Sequence, residues 1–557
     1  MSEAGYKLMA KAFRAEGVEQ VFTLIGDANM HWVTQIAAEP GVRIVHALHE
    51  HAACTMADAY ARATGKVGAA SVTSGPGFTQ IMTALVAAAR GSVPMVILAG
   101  DTPSNAAYHM QQIDQAALTV ATGAHFIGVR HVDRLLDSVR DAFHVARSER
   151  RPVVLSVPVN LQKAAFPWDY DYRASTDYLP RRQHAVPDPA LIEELADMVQ
   201  AAARPILIGG RGALRSGAGP QMEQLADQCG ALLATTLLGK GLFCNHAFSL
   251  GIAGAFADSA AREEFAQADL VIAVGASLTS YTTEAGYLFP DAKVVQIDLN
   301  PRGLNQGMRT ADLHLRAGAL TAVTALGAVL SARGHSPRGR RSPELAERIA
   351  AAAALPDARP YVCSPGTVDP RAILREIDRV VPKDWDVVIG GGHYFGIALT
   401  HLQGREASRY HVVNDFGAIG SALPAAIGVA CARGSGKVLL IEGDGSLLMH
   451  IQELDTLRRM NLQMLVCVVN DGGYGAEFHK LRAEGFDASQ AVHGRRDFAS
   501  IARGFGLRGA TVNSGNQLKE LFDEHAASPV ATVWDLHVDD MIPSAAYRRV
   551  HYGQIDD

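Results

Sequence analysis

Apolar and polar positions along residues 1–165 follow a recurring order, in which a stretch of helical periodicity precedes a short run rich in β-branched residues. These runs are VEQVFTLIG, VRIVHAL, VGAASVTSG, VPMVILAG and RPVVLSVP. Strands that alternate with helices predict a parallel, doubly wound sheet, because each connecting helix crosses one face of the sheet.

The same alternation returns twice further along the chain. The runs RPILIGG, ALLATTLLG, DLVIAVGASL and KVVQIDLNP come first, and WDVVIGGG, KVLLIEGDG, MLVCVVNDGG and VATVWDLHV come later. Residues 166–189 and 331–365 are rich in proline and charge and are interpreted as linkers, the second with an Ala-rich helix. We therefore predict an α/β fold of three doubly wound parallel-sheet domains, spanning residues 1–168, 188–332 and 366–545.

Composition and charge exclude several classes of protein. The chain has 557 residues, of which 48% are hydrophobic, and a net charge of −6, so no general attraction to nucleic acid or anionic membranes is expected. Arginines of the second linker could contact nucleic acid, but a solvated linker is the simpler interpretation. The most apolar window is interrupted by Arg90 and Pro94, which argues against a membrane span. The cysteines are scattered without CxxC spacing, and the N-terminus lacks a signal-peptide pattern, so we expect a cytoplasmic protein.

Two acidic turns in the last domain carry candidate chemistry. KVLLIE and QMLVCVV are predicted as neighbouring strands, joined by one amphipathic helix over SLLMHIQELDTLRRM, so Asp444 and Asp471 should meet at one sheet edge. Gly443 and Gly445 permit close approach of a bulky anion, and Ser446 begins a helix whose N–H groups favour phosphate. Two carboxylates beside phosphate require a cation such as Mg²⁺. The alternative is that one aspartate caps a helix and the other forms a turn.

This motif resembles that of the thiamine-diphosphate-dependent enzymes of the acetohydroxyacid (acetolactate) synthase, pyruvate decarboxylase and benzaldehyde lyase group. The resemblance implies that thiamine diphosphate and Mg²⁺ are bound, with Asp444, Asp471 and the carbonyl of Gly473 as metal ligands. Asn470 and Tyr474 become cofactor contacts in the same motif. Asp471 departs from the family, which usually has asparagine there, although a carboxylate is also a competent Mg²⁺ ligand.

The resemblance extends to the first domain, which it implies binds the pyrimidine ring of the cofactor. His49-Glu50-His51 is similar to the family segment whose glutamate activates the cofactor through this ring, so Glu50 is implied to be catalytic. In HVVNDFGAIGSALPAAIG, Ile419 occupies the position of the apolar residue that holds the cofactor in its bent shape. Without the resemblance, Glu50 could simply favour a helix N-terminus, and Ile419 could be a core residue.

Four further polar residues match groups that face the reacting carbon in different family members. Asp27, in a turn similar to GDxN, and Glu477 resemble the carboxylates of pyruvate decarboxylases. Gln111 matches the catalytic glutamine of acetohydroxyacid synthases and benzaldehyde lyases, and His109 could donate a proton. The alternatives are a turn-forming aspartate for Asp27, a solvated helix position for Glu477 and a surface residue for His109.

Other positions depart from the biosynthetic synthases. The lysine expected after the Gln111 segment is Ala124, and the tryptophan expected after the metal turn is Lys480. In the middle domain, IGGRGALRSGAG is a lone Gly-rich turn, and the arginine of the biosynthetic flavin site is absent from GASLTSYTTEAG. FAD is therefore possible but not favoured.

These features together predict cleavage and formation of C–C bonds at a 2-oxo acid, with decarboxylation and possible carboligation to an aldehyde or ketone. The first alternative is a lyase or hydrolase that cleaves an acyloin or cyclic dione without decarboxylation. The second is a catalytically silent binding relative. The resemblance also implies a homodimer or homotetramer, because family active sites lie between two subunits.

Overall fold

The computed structural model describes residues 3–167, 170–180, 185–300, 310–337, 340–434 and 436–554. The described chain forms three sheets, each of six parallel strands with helices packed against it. The predicted α/β fold with three parallel-sheet domains is therefore confirmed. The predicted boundary at residue 168 and parts of both predicted linkers lie outside the described residues.

The first sheet has the strand order β2-β1-β3-β4-β6-β5. Its strands are β1 (Gln20–Thr23), β2 (Arg43–His46), β3 (Gly68–Val72), β4 (Met95–Asp101), β5 (His125–Gly128) and β6 (Pro152–Pro158). The accompanying helices are α1 (Gly5–Ala15), α2 (Met30–Ala37), α3 (Glu50–Thr64), α4 (Pro76–Thr79), α5 (Met82–Gly91), α6 (Gln115–Thr122), α7 (Leu135–Glu149) and α8 (Val159–Lys163). The central strands β3, β4 and β6 are buried almost throughout, as expected for strands covered on both faces.

The second sheet has the order β12-β11-β10-β7-β8-β9. Its strands are β7 (Pro205–Gly209), β8 (Leu232–Thr235), β9 (Ser249–Ile252), β10 (Leu270–Val274), β11 (Lys293–Asp298) and β12 (Leu313–Arg316). The helices are α9 (Pro189–Ala201), α10 (Arg211–Ser216), α11 (Gly219–Cys229), α12 (Ser259–Ala266), α13 (Ser280–Thr283) and α14 (Ala319–Ala332). The Ala-rich helix predicted in the second linker is α15 (Pro343–Ala354), capped by Ser342.

The third sheet has the order β14-β13-β15-β16-β18-β17. Its strands are β13 (Asp386–Ile389), β14 (Tyr410–Val412), β15 (Val438–Gly443), β16 (Leu465–Asn470), β17 (Arg508–Val512) and β18 (Thr532–His537). The helices are α16 (Pro370–Val380), α17 (Tyr394–His401), α18 (Ala422–Arg433), α19 (Asp444–Met449), α20 (Glu453–Arg459), α21 (Gly475–Ala483), α22 (Phe498–Gly504), α23 (Leu518–Ala526) and α24 (Ala545–Tyr552).

The prediction of a single helix after the first acidic turn is wrong. The segment forms two short helices, α19 and α20, and His450 leaves the helical conformation at the break. The His450 ring stacks on His51 of the first domain with a centroid distance of 4.9 Å. The break buries Leu447 and Leu454 in the core while His450 reaches the neighbouring domain.

The first and third domains share one hydrophobic core, in which α3 packs against α18. Both helices are rich in small residues, which lets their backbones approach closely. A Cβ atom added to Gly428 would lie 2.3 Å from the carbonyl oxygen of Met56, so no larger residue fits there. This contact fixes the start of α3, and therefore Glu50, relative to the third sheet. No helix among the described residues is long and apolar enough to cross a membrane.

Candidate active site

The two acidic turns meet at the carboxyl edge of the third sheet. Strands β15 and β16 are parallel neighbours with Gly443 opposite Val469, so the residues that follow them are adjacent. The N–H of Gly472 donates to Oδ2 of Asp444 at 2.9 Å, which joins one turn directly to the other. The N–H of Gly473 donates to Oδ1 of Asp471 at 3.2 Å. The structure thus brings together the two carboxylates that the sequence pattern placed at one edge.

The electrostatics of this pair favour a cation. Burial raises the pKa of Asp444, and burial together with the charge of Asp444 raises the pKa of Asp471 well above its ordinary value. Both shifts mean that two negative charges are unfavourable here without compensation. Among the described residues, no group of three His, Cys, Asp or Glu side chains could hold a metal ion. A metal at this edge would therefore take the two carboxylates together with oxygens from the backbone, water and a bound phosphate, which suits Mg²⁺.

Two glycines form a cradle beside the aspartates. A Cβ atom on Gly443 would lie 2.7 Å from the Tyr394 ring, and one on Gly445 would lie 2.8 Å from the Tyr474 ring. Side chains at either position would fill the space over the turn. The residues present therefore fit a diphosphate group held close to the backbone of this turn.

Ser446 joins this turn to the loop that carries Ile419. Its hydroxyl donates to Oε1 of Glu442 at 2.7 Å and accepts the N–H of Gly420 at 2.8 Å. Glu442 is fully buried, and burial raises its pKa to about 7. Ile419, next to Gly420, borders the cleft above the turn. Buried Glu442 thus fixes the position of Ile419 through its hydrogen bond with Ser446 and the bond of Ser446 with Gly420.

The predicted cofactor contacts Asn470 and Tyr474 have different surroundings. The side chain of Asn470 is buried and donates to Oδ1 of Asp535 at 2.8 Å and to the Arg496 carbonyl at 3.0 Å, so it braces β16 against β18. Tyr474 borders the cleft and packs against the His493 ring. Of the two, Tyr474 alone faces the cleft.

The three further candidates in the first domain, Asp27, His109 and Gln111, lie with Glu50 at the carboxyl edge of their own sheet. Glu50 begins α3, and a Cβ atom on Gly77 would lie 3.0 Å from its Oε1. The Ser74 hydroxyl donates to Oε1 of Gln111 at 2.7 Å, and the N–H of Gln111 donates to Nδ1 of His109 at 3.2 Å. These contacts link loops that follow three different strands.

Asp27 completes this group in an exposed turn after β1. The turn is held by the Asn29 side chain, which accepts the N–H of Gly26 at 2.7 Å. A Cβ atom on Gly26 would lie 2.7 Å from Thr73, so the Asp27 turn packs against the loop that leads to Gly77.

The two groups do not line one common cleft within the chain. A cleft of about 2590 Å³ is bordered by the metal turn, by the loop with Ile419, by Glu477 and by the middle domain. Asp27, Glu50, His109 and Gln111 are not among its lining residues. We therefore describe two half-sites: the C-terminal half-site, around Asp444 and Asp471, and the N-terminal half-site, around these four residues.

The sequence pattern did not identify several residues that lie near the metal turn. Nε2 of His493 lies 4.0 Å from Oδ2 of Asp444, and its Nδ1 pairs with the Gly494 carbonyl at 3.0 Å. The Tyr394 hydroxyl is buried and has no hydrogen-bond partner among the described residues, and burial, followed by the charge of Glu442, raises its pKa well above the ordinary value. The Gly-rich run before Tyr394 was a usable signal, because it follows a buried strand as Gly443 does. His493 lies in a distant loop and has no such signal.

Comparison with known proteins explains why two such half-sites occur in one chain. Models of the N-terminal TPP binding domain, the central domain and the C-terminal TPP binding domain of thiamine pyrophosphate enzymes match residues 4–118, 192–326 and 390–535. The chain belongs to the thiamine pyrophosphate enzyme family. The two matched TPP binding domains contain the N-terminal and C-terminal half-sites, which supports thiamine diphosphate (thiamine pyrophosphate) as the cofactor.

Individual relatives are similar over nearly the whole chain. The acetolactate synthase large subunit of Parasynechococcus marenigrum is 31% identical over 96% of this chain and 87% of its own length. The probable acetolactate synthase large subunit of Methanocaldococcus jannaschii is 27% identical over 96% of this chain and 92% of its own. The isozyme 3 large subunit of Escherichia coli is 26% identical over 94% of this chain and 92% of its own. This thiamine pyrophosphate enzyme is therefore acetolactate synthase-like.

Proposed function

We propose that the protein uses thiamine diphosphate and Mg²⁺ to cleave a 2-oxo acid at its carbonyl carbon, releasing CO₂ and transferring the remaining acyl unit to a proton or a second carbonyl. The observation that carries this proposal is the acidic pair of buried Asp444 and half-buried Asp471, whose turns are joined through the N–H of Gly472 at the ends of neighbouring strands. The matched family domains and the acetolactate synthase relatives support the same chemistry.

In this proposal, Asp444, Asp471 and the carbonyl of Gly473 hold Mg²⁺, and Gly443 and Gly445 admit the diphosphate. Thiamine diphosphate would supply a nucleophilic carbon when bound. Ile419 would pack against the cofactor, and the hydrogen bond from the N–H of Gly420 to the Ser446 hydroxyl keeps Ile419 in place. The carboxylate of Glu50 would hydrogen-bond the pyrimidine ring and hold the activating proton.

The remaining candidates handle protons or orient the substrate. Glu477 borders the cleft on the first turn of α21, and we propose that it exchanges a proton near the reacting carbon. Asp27, Gln111 and His109 lie beside Glu50 and would act from the opposite side. We propose no role for FAD, because the arginine of the biosynthetic flavin site is absent from the middle-domain segment GASLTSYTTEAG.

We further propose that the active site forms between two subunits of a homodimer, with a homotetramer as a pair of such dimers. Glu50 lies outside the cleft that Asp444 borders, so a second chain is needed to bring both half-sites to one cofactor. Apolar side chains beside each half-site support such a contact, since exposed apolar surface is normally covered by a partner. They are Leu48, Tyr108 and Met110 near Glu50, and Met449 and Val492 near the metal turn.

The test combines cofactor binding with product analysis. Titration calorimetry should detect thiamine diphosphate binding that requires Mg²⁺, and a screen of 2-oxo acids with and without aldehydes should detect CO₂ and acyloin products. Cleavage of an acyloin or cyclic dione without CO₂ would replace the proposal with the lyase alternative. Binding without turnover of any of these compounds would indicate a silent relative.

A further inference from the structure

Helix α21 presents one face to the cleft directly after the metal turn. Ala476, Glu477 and Lys480 border the cleft, whereas Phe478 and His479 are buried on the other side. Spacings of three and four residues place side chains on one helix face, so Glu477 and Lys480 are neighbours along it. Lys480 therefore lies one turn beyond Glu477, further from the metal turn.

Lys480 is the one lysine or arginine that the described residues of the third domain contribute to the cleft; the other cations that border it, Arg211 and Arg215 among them, come from the first and middle domains. Four carboxylates of the third domain also border the cleft: Asp415, Asp444, Asp471 and Glu477. Asp415 pairs with Arg62 of the first domain at 2.7 Å, and the next two hold the proposed metal. Lys480 forms no ion pair within 4.0 Å with any described carboxylate, Glu477 included.

The opposing helix α24 does not neutralise Lys480 either. Tyr547 faces Glu477, and burial together with this carboxylate raises the pKa of Tyr547 to about 12. His551, one turn further along α24, faces Lys480. The charge of Glu484 also acts on His551 and raises its pKa. Burial and the charge of Lys480 lower the pKa of His551, so the imidazole stays uncharged at neutral pH. His551 is thus a neutral ring rather than a counter-ion for Lys480.

We propose that Lys480 binds a second anionic group of the substrate, so that the preferred substrates are 2-oxo acids with a terminal carboxylate. This inference rests on the proposed function of the same site. Three residues of helix place Lys480 about 4.5 Å beyond Glu477 along the helix axis. If Glu477 exchanges protons at the reacting carbon, the ammonium of Lys480 reaches a carboxylate carried on a short alkyl chain. A charge-assisted hydrogen bond in a partly desolvated cleft then selects the acidic substrate.

The test uses two substrates of equal carbon number, 2-oxoglutarate and 2-oxopentanoate, which differ in the terminal carboxylate. For the wild-type enzyme, kcat/KM should be about 10-fold or more higher for 2-oxoglutarate than for 2-oxopentanoate. Lys480→Met should lower kcat/KM for 2-oxoglutarate by about 10- to 100-fold, mainly through KM, and should change that for 2-oxopentanoate by about twofold at most. Lys480→Arg should keep most of the preference, because it retains the charge.

Lys519→Met is the matched control, since Lys519 is exposed on α23 and pairs with Asp523 away from the cleft. This variant should leave kcat/KM unchanged for both 2-oxoglutarate and 2-oxopentanoate. A wild-type preference for 2-oxopentanoate, or an unchanged substrate ratio in Lys480→Met, would overturn the assignment of Lys480 while leaving the proposed function intact. If no 2-oxo acid is turned over by the enzyme loaded with thiamine diphosphate and Mg²⁺, the proposed function itself fails, and this inference with it.

Discussion

The C-terminal and N-terminal half-sites differ in how completely one chain builds them. Asp444 is 1% exposed, and both of its carboxylate oxygens accept backbone N–H groups, from Gly445 and Gly472. Glu50 is half-buried, and its side chain forms no hydrogen bond within the described residues. The C-terminal half-site is thus organised before any ligand binds, whereas the N-terminal half-site offers a carboxylate that still lacks its partner.

This difference follows from the chemistry that each half performs. A metal and a diphosphate need several fixed oxygens and N–H groups, which a pair of adjacent strand ends provides locally. The proposed activating glutamate needs one hydrogen bond to a ring that is itself held elsewhere. The following changes test whether the halves are separable in this way.

The largest effect is expected from Asp444→Ala, which removes the carboxylate that joins the two acidic turns through the N–H of Gly472. The remaining Asp471 would face the diphosphate without a complete metal site, so we expect thiamine diphosphate affinity to fall beyond detection and activity to fall by about 1000-fold or more. Titration calorimetry in the presence of Mg²⁺ measures this. Asp455→Ala is the control, because Asp455 pairs with Arg459 on partly exposed α20. Unchanged cofactor affinity in Asp444→Ala would contradict the metal assignment.

Glu50→Gln should separate activation from binding. The amide keeps the size of the side chain but cannot hold the activating proton, so activity should fall by about 100- to 10,000-fold while cofactor affinity stays within severalfold. Loss of cofactor binding in this variant would show instead that Glu50 is part of the binding surface. Calorimetry and turnover of one substrate, measured on the same preparation, distinguish these results.

Mixing the two inactive variants tests whether the half-sites belong to different chains. After dissociation and reassembly of Glu50→Gln with Asp444→Ala, each heterodimer contains one site with both residues intact. Random pairing should restore about a quarter of the wild-type activity, since half of the dimers are mixed and each has one intact site. Mass spectrometry confirms that heterodimers have formed. Heterodimers without activity would mean that one chain supplies both residues to its own site.

The same comparison explains what the sequence could predict. Asp444 and Asp471 belong to one β-helix-β unit, so their proximity follows from local order and from the parallel sheet. Tyr394 and His493 reach the same turn through packing between distant segments, which periodicity does not record. Glu442 lies in β15 itself, but its hydrogen bond to Ser446 is a side-chain contact that periodicity does not record either. Asn470 was predicted as a cofactor contact from its place in the motif, yet its side chain braces β16 on the neighbouring strand.

The strands that the pattern missed share a position. They are β5, β9, β12, β14 and β17, and each lies at the edge of its sheet. Edge strands have a neighbour on one side alone and are often half-exposed, so their apolar runs are short and mixed with polar residues. The pattern LHLR of β12, for example, has one fully buried position. The break between α19 and α20 was missed because it depends on the contact of His450 with another domain.

A smaller effect is expected from removing the hydrogen bond between Glu442 and Ser446 beneath the C-terminal half-site. Glu442→Ala removes the acceptor of the Ser446 hydroxyl, which should release Gly420 and Ile419 and lower kcat by about 10-fold. Glu442→Gln keeps an acceptor oxygen of the same reach and should restore most of kcat. Cofactor affinity in both variants should change less than kcat, because the metal ligands are untouched. Equal loss in the Ala and Gln variants would show that the charge matters rather than the hydrogen bond.

The smallest and most discriminating change is Asp471→Asn, which relieves the repulsion between the two acidic turns. Without metal, the variant should be more stable by about 1 kcal/mol, because the half-buried carboxylate beside buried Asp444 is replaced by a neutral amide. With metal, the amide oxygen is a weaker ligand, so Mg²⁺ affinity should fall by about 10-fold while thiamine diphosphate still binds at high Mg²⁺. Thermal unfolding with and without Mg²⁺ measures the stability of the metal-free protein and its stabilisation by Mg²⁺ on one sample. Asp497→Asn, at an exposed helix cap, serves as control. A variant that is less stable without metal would show that Asp471 holds the turn together through its bond to Gly473, and that the carboxylate pair is a structural feature first.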